Sequence, residues 1–135
     1  MFYEFVSKVT TIDRKGNDKE ISERYIIQNK ELFGEVELAA FELYNGENDV
    51  IAIKRSNVRE FINNRSDESQ SIFFTTVEDV FVDEKTGEEK SNKYVVGLFA
   101  NSAEEATTIS ANYLKQGMSD FRIVCVKKTK FVDLI

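Results

Sequence analysis

The sequence predicts an α+β protein made by tandem duplication of a β-β-α-β unit, an antiparallel-rich sheet with two helices packed on it. Three observations predict it. The chain matches itself when displaced by about 70 residues. Runs rich in Val, Ile, Phe and Thr are separated by Gly-containing turns, the pattern of strands and hairpins. Two stretches carry apolar residues at helical spacing.

In the first half, a strand near residues 2–12 is followed by the hairpin turn "DRKGND" and a second strand near 20–28. Leu32, Val36, Ala39, Ala40 and Leu43 give a helical stripe, stopped by Asn45-Gly46. A third strand, apolar at residues 50–53, runs straight into Lys54-Arg55. The second half repeats the order, with the turn "DEKTGE" and a strand near 91–98. Its helix begins at "NSAEEA", where Asn101 or Ser102 can cap and Glu104 and Glu105 favour the positive end. Ala103, Ala106, Ile109, Ala111 and Leu114 form its stripe, and Gly117 ends it.

The two halves align residue on residue. Tyr3 falls on Phe74, Val6 on Val77, Val9 on Val80 and Gly16 on Gly87. "SERYII" falls on "SNKYVV" after a two-residue deletion, and Gly46 falls on Gly117. "VIAIKRSNV" (50–58) then meets "IVCVKKTKF" (123–131) without a gap, and "EFI" (60–62) meets "DLI" (133–135). Residues 1–62 and 71–135 are therefore the repeats, joined by the polar linker 63–70 in one compact domain. Both third strands are apolar in consecutive positions, which predicts central strands covered on each side. The basic pairs that follow mark where each strand leaves the core.

Composition narrows the function. There is no His and one Cys, which excludes internal disulfides, His/Cys zinc sites and Ser-His-Asp or Cys-His catalysis. Cys125, among apolar neighbours, is expected to be a small buried hydrophobe. The six glycines never group as a phosphate loop or dinucleotide motif. "DEKTGEEK" superficially resembles the acid-x-Lys pattern of metal-dependent nucleases. Its carboxylates lie on a hairpin tip instead of adjacent rigid strands, and its copy "DRKGNDKE" lacks the pattern. Glu31, Glu35 and Glu42 recur at helical spacing as a solvated face. No enzyme, cofactor or metal is expected. No apolar run approaches the ~20 residues of a membrane span, and the N-terminus does not read as a secretory signal. A cytosolic protein is expected.

The formal charge of −6 argues against a general duplex-DNA binder, yet leaves room for a local basic strip. The candidates are Lys54, Arg55 and Arg59 in one half and Lys127, Lys128 and Lys130 in the other. Backbone binding to a single strand needs regularly spaced cations beside rings on which bases stack. Phe61 and Phe131 lie just beyond the basic pairs, and Tyr3, Phe5, Phe73 and Phe74 lie on the first strands.

The segments "IKRSN…E", "VFVDEKTGEEK" and "GMSDFRIVCVKKTKFVD", set in a doubled β-β-α-β unit, resemble a family known only as a domain of unknown function. Its members are short proteins from gut Bacteroidetes and their tailed, crAss-like phages. The resemblance spans nearly the whole chain and implies no catalytic residues. For phage members it implies a place among replication genes and single-stranded DNA binding in replication or recombination, in the cytoplasm of a bacterial host. The chain departs from the family in its first helix, "NKELFGEVELAAFELYNG", which lacks the usual Ser/Thr start. The expected partners are single-stranded DNA and host or phage replication proteins, and open strand edges admit a homodimer. The alternative reading is an acidic interaction module that inhibits or adapts a host nucleic-acid enzyme.

Overall fold

The computed structural model describes residues 1–117 and 120–135; Met118 and Ser119, within the motif that starts at Gly117, lie outside the described residues. The order of elements is β1 (Tyr3–Ile12), β2 (Asp18–Ile27), α1 (Phe33–Leu43), β3 (Asp49–Arg55) and β4 (Val58–Phe61). There follow β5 (Ser71–Val82), β6 (Glu89–Ala100), α2 (Ala103–Leu114), β7 (Asp120–Lys128) and β8 (Phe131–Leu134). The fold is α+β, with two mixed four-stranded sheets of order β3-β1-β2-β8 and β4-β6-β5-β7.

Each repeat adds a short fourth strand to the expected β-β-α-β unit, and that strand joins the other repeat's sheet. β4 pairs parallel with β6, and β8 pairs parallel with β2. The compact units are accordingly Met1–Ser56 with Lys130–Ile135, and Asn57–Thr129. Without the exchange, β2 and β6 would each present an unpaired row of backbone N–H and C=O groups.

Both hairpins use the same turn chemistry. Asp13 Oδ1 accepts from the backbone N–H groups of Lys15 and Asn17 (2.8 and 2.9 Å). Asp83 Oδ1 accepts from that of Lys85 (2.8 Å). Gly16 and Gly87 follow at φ +82° and +70°, a left-handed conformation that glycine adopts without strain.

Strand registers give the true equivalence of the halves. Tyr3 pairs with Ile27 and Arg55, and Phe73 pairs with Leu98 and Lys128. Tyr3 therefore corresponds to Phe73, one residue from the sequence alignment, and Tyr25 corresponds to Val96 instead of Tyr94. Burial agrees: Tyr3, Phe5 and Ser7 are buried in one sheet, and Phe73, Thr75 and Val77 in the other. A one-residue slip would turn each of these to the opposite face.

β3 and β7 are edge strands, which corrects the expectation that they are central. Ile51 is 52% exposed and Val124 45%. The apolar run has another cause. Ser7 pairs with Val50 and Val6 with Ala52, so Ile51 is an extra bulged residue; Val124 is skipped in the same way between Ile123 and Cys125. The bulge resets the alternation, so Val50 and Ile53, three apart, both pack on the core. Cys125 is exposed, contrary to the buried hydrophobe expected from its neighbours; its Sγ lies 3.8 Å from Thr76 Oγ1.

Each helix buries a narrower stripe than its sequence suggests. α1 buries Val36 and Ala40, while Leu32 and Leu43 are exposed; α2 buries Ala106 and Ser110. Ser102 caps α2 by accepting from Glu105 N–H at 3.1 Å. Its counterpart Leu32 has no side-chain oxygen, so α1 starts without a side-chain cap. α1 ends as expected at Asn45 and Gly46, both left-handed, with Gly46 N–H donating to Phe41 O at 2.8 Å.

The core of the first unit gathers Tyr3, Phe5, Tyr25, Ile27, Val36 and Ala40. That of the second gathers Phe73, Leu98, Ala100 and Ala106. Where the first unit has Phe5 and Ala40 in its apolar core, the second has Thr75 and Ser110, joined by a buried hydroxyl–hydroxyl hydrogen bond of 2.8 Å. Residues 62–70 form neither helix nor strand, yet they are held in place. Asn64 donates to Phe99 O (2.7 Å) and accepts from Phe99 N–H (2.9 Å), mimicking one more strand pairing along β6.

Candidate nucleic-acid interface

Lys54-Arg55 and Lys127-Lys128 close the edge strands β3 and β7, and all four are exposed. They end there because the next residue is tied to the neighbouring strand: Ser56 N–H donates to Phe2 O (2.9 Å), and Thr129 N–H to Ile72 O (3.0 Å). Thr129 Oγ1 also donates to Ile72 O at 2.7 Å. The chain then crosses to the other unit.

The edges differ in what faces the lysine. Lys54 pairs with Glu4 across the strands, and its side chain, 73% exposed, brings the ammonium to 3.5 Å from the Glu4 carboxylate. Lys127, at the equivalent register, pairs with Phe74, whose side chain is half-buried. Three residues before Cys125, Arg122 is already committed to Glu78 at 2.6 Å. The second unit therefore sets Lys127 beside an aromatic ring, with Lys128 on the opposite face of the strand, while the first sets its lysine against an acid. The sequence offers Phe74 among the available rings, but its pairing with Lys127 is an inter-strand register that only the fold sets.

The remaining candidates lie elsewhere. Arg59 is the bulged residue of β4, skipped between Val58 and Glu60, and its guanidinium sits 4.7 Å from the centre of the Tyr94 ring. Phe61 covers Gly97 and packs edge-on against Phe99, centroids 5.4 Å apart. Lys130 is exposed just before β8, and the half-buried Phe131 pairs with Arg24. In the second unit Arg59 and Phe61 thus occupy the edge opposite Lys127 and Lys128, roughly 14 Å away over three strand spacings. In the first unit Lys130 and Phe131 likewise oppose Lys54 and Arg55. Within each unit the candidates form two separate edges, not one strip.

A cleft of about 320 Å³ in the second unit is lined by Glu60, Asp79, Tyr94, Tyr113 and Phe121 among others. Tyr94 Oη donates to Asp79 Oδ1 at 3.4 Å and Tyr113 Oη to Glu60 Oε2 at 3.3 Å. Burial first, and the adjacent carboxylates second, push both phenols above the ordinary tyrosine value, so they stay protonated donors. Among the described residues, no group of three or more His, Cys, Asp or Glu is placed to hold a metal ion. No helix there is long and apolar enough to cross a membrane.

Fold and edges together define a two-repeat α+β protein whose sheets are completed by exchanged strands and end in exposed basic pairs. The chain belongs to the family described as Domain of unknown function (DUF4494), whose model matches residues 1–135. No curated protein and no solved structure matches it.

Proposed function

We propose that the protein is a non-enzymatic binder of single-stranded DNA, acting in phage replication or recombination, with its main contact at the β5–β7 edge. The observation that supports this reading is the register of Lys127 opposite Phe74, with exposed Lys128 following it on the other face of the strand end. Cations that neutralise successive phosphates, beside a ring that a base can stack on, are the elements of sequence-tolerant single-strand binding. The strand end is anchored by Thr129 in two hydrogen bonds to Ile72 O, so the cations are presented from a fixed backbone. The first unit contributes less, because Glu4 already neutralises Lys54.

The test is fluorescence anisotropy with labelled oligo-dT over a salt series. Binding weakens as salt rises, and Lys127→Glu with Lys128→Glu lowers the log–log salt slope by about 1.4, at ~0.7 per phosphate contact. Lys54→Glu with Arg55→Glu has a smaller effect. Phe74→Leu lowers affinity without changing the slope, because stacking releases no counterions. No binding at low salt, or binding indifferent to Lys127 and Lys128, refutes the reading.

A further inference from the structure

The duplication supplies its own control for one surface. α1 and α2 are equivalent helices, each burying two residues four apart: Val36 and Ala40 in one, Ala106 and Ser110 in the other. The faces turned away from those stripes differ. In α1 the outward face centres on Leu38 and Phe41, 59% and 56% exposed. At the corresponding positions α2 carries Thr108 and Ala111, flanked by Thr107 and Asn112. A solvated helix normally looks like α2. Leu38 and Phe41, three residues apart, stand side by side on the surface.

Charge says what covers them. Glu37 and Glu42 flank the apolar pair on either side of the helix, and both are exposed. From Glu31 to Ile53 the chain has six carboxylates and no Lys or Arg. Carboxylates on both sides of an apolar centre repel nucleic acid and anionic lipid surfaces. They also oppose a second copy docking by the same face, which would set Glu37 and Glu42 against their own kind. The complementary ligand carries apolar side chains flanked by Lys or Arg.

We propose that the outer face of α1 docks a cationic amphipathic segment of a partner protein. Leu38 and Phe41 are the anchors buried on binding, and Glu37 and Glu42 are the charges that select the partner. The site belongs to the first unit and the β5–β7 edge to the second, with no residue in common, so variants can remove one and keep the other.

The test uses the full chain and a labelled synthetic peptide of about 14 residues, some four helical turns, with leucines on one face and lysines on the other. A second peptide replaces each lysine by glutamate. The Lys/Leu peptide is expected to bind saturably one to one and more weakly as salt rises, while the Glu/Leu peptide does not bind. Leu38→Ser with Phe41→Ser should weaken binding about tenfold or more, as loss of buried anchors does. Thr107→Ser with Thr108→Ser in α2 should leave it unchanged. Phe41 also covers Gly46, where an added Cβ would lie 2.8 Å from its ring, so Leu38→Ser alone serves if the double variant melts early in circular dichroism. Equal affinity of wild type and the Leu38 variant overturns the proposal, as does absence of binding. So does sedimentation equilibrium showing a wild-type dimer that Leu38→Ser abolishes, which assigns the face to a second copy.

Discussion

The strand exchange can be tested at one contact between β4 and β6. Phe61 lies across Gly97, where a Cβ added to the glycine would sit 2.5 Å from Phe61 Cε2. Carbon atoms pack best at about 3.5–4.0 Å, so the overlap is about 1 Å or more. Gly97 has no positive φ, so its backbone accepts alanine and the cost comes from the ring alone. Gly97→Ala is expected to destabilise by about 1–3 kcal/mol, the range for overpacking. Phe61→Ala should cost about 2–3 kcal/mol, below the 3–5 typical of a fully buried Phe, because its ring is half-buried. Without the ring, alanine at 97 should instead gain about 0.5–1 kcal/mol, since a strand glycine loses more chain entropy on folding. The double variant should then be no less stable than Phe61→Ala, a coupling of at least about 1.5 kcal/mol. Urea unfolding followed by circular dichroism, with unchanged m-value, measures all four corners. If Gly97→Ala costs the same with and without Phe61, the two residues do not share the contact. β4 would then not be the strand that completes this sheet.

Three further outcomes are expected. Thr75→Val and Ser110→Ala should each cost about 1–2 kcal/mol in thermal or urea unfolding, and together clearly less than their sum. Each single change strands a buried hydroxyl, whereas the first unit's Phe5–Ala40 shows that an apolar pair suits this position. Ser102→Ala should lose about 1 kcal/mol with the cap of α2, and Leu32→Ser should gain up to that much by giving α1 the cap it lacks; near-zero effects in urea unfolding refute this. Burial, followed by hydrogen bonding with Tyr44 and the bond Tyr25 donates to Glu23, holds the Tyr25 phenol far above the ordinary tyrosine value. The native state therefore keeps a proton that the unfolded chain loses. The Tyr25 contribution to stability should be level below pH ~10 and fall as pH rises past it, and Tyr25→Phe should lessen that fall in urea titrations at pH 9 to 11.

Much of the fold was legible because its signals are local. Asp13 and Gly16, like Asp83 and Gly87, sit within a few residues of the N–H groups they serve, so the hairpins could be read directly. Ser102 and Glu105 announce the start of α2 in the same way. The repeat itself is a comparison of the chain with itself and needs no coordinates. The basic pairs at 54–55 and 127–128 were likewise found as exposed strand ends, since a charged pair following an apolar strand must reach water.

The sequence by itself therefore determined the α+β class, the duplication, both hairpins, the cap of α2 and the stop of α1. The tertiary structure decided three things. It made β3 and β7 edges, because a bulge at Ile51 or Val124 and burial on both faces leave the same run of apolar letters. It set the halves one residue away from their best-looking alignment, since hydrophobic similarity tolerates a slip that the two faces of a sheet do not. It also sent β4 and β8 to each other's sheets. Only Ser56-Asn57 or Thr129-Lys130 separates each of these strands from the one before it, and nothing so short specifies which distant strand supplies the hydrogen bonds. The pairing of Lys127 with Phe74, on which the proposed function rests, exists only once that register is set.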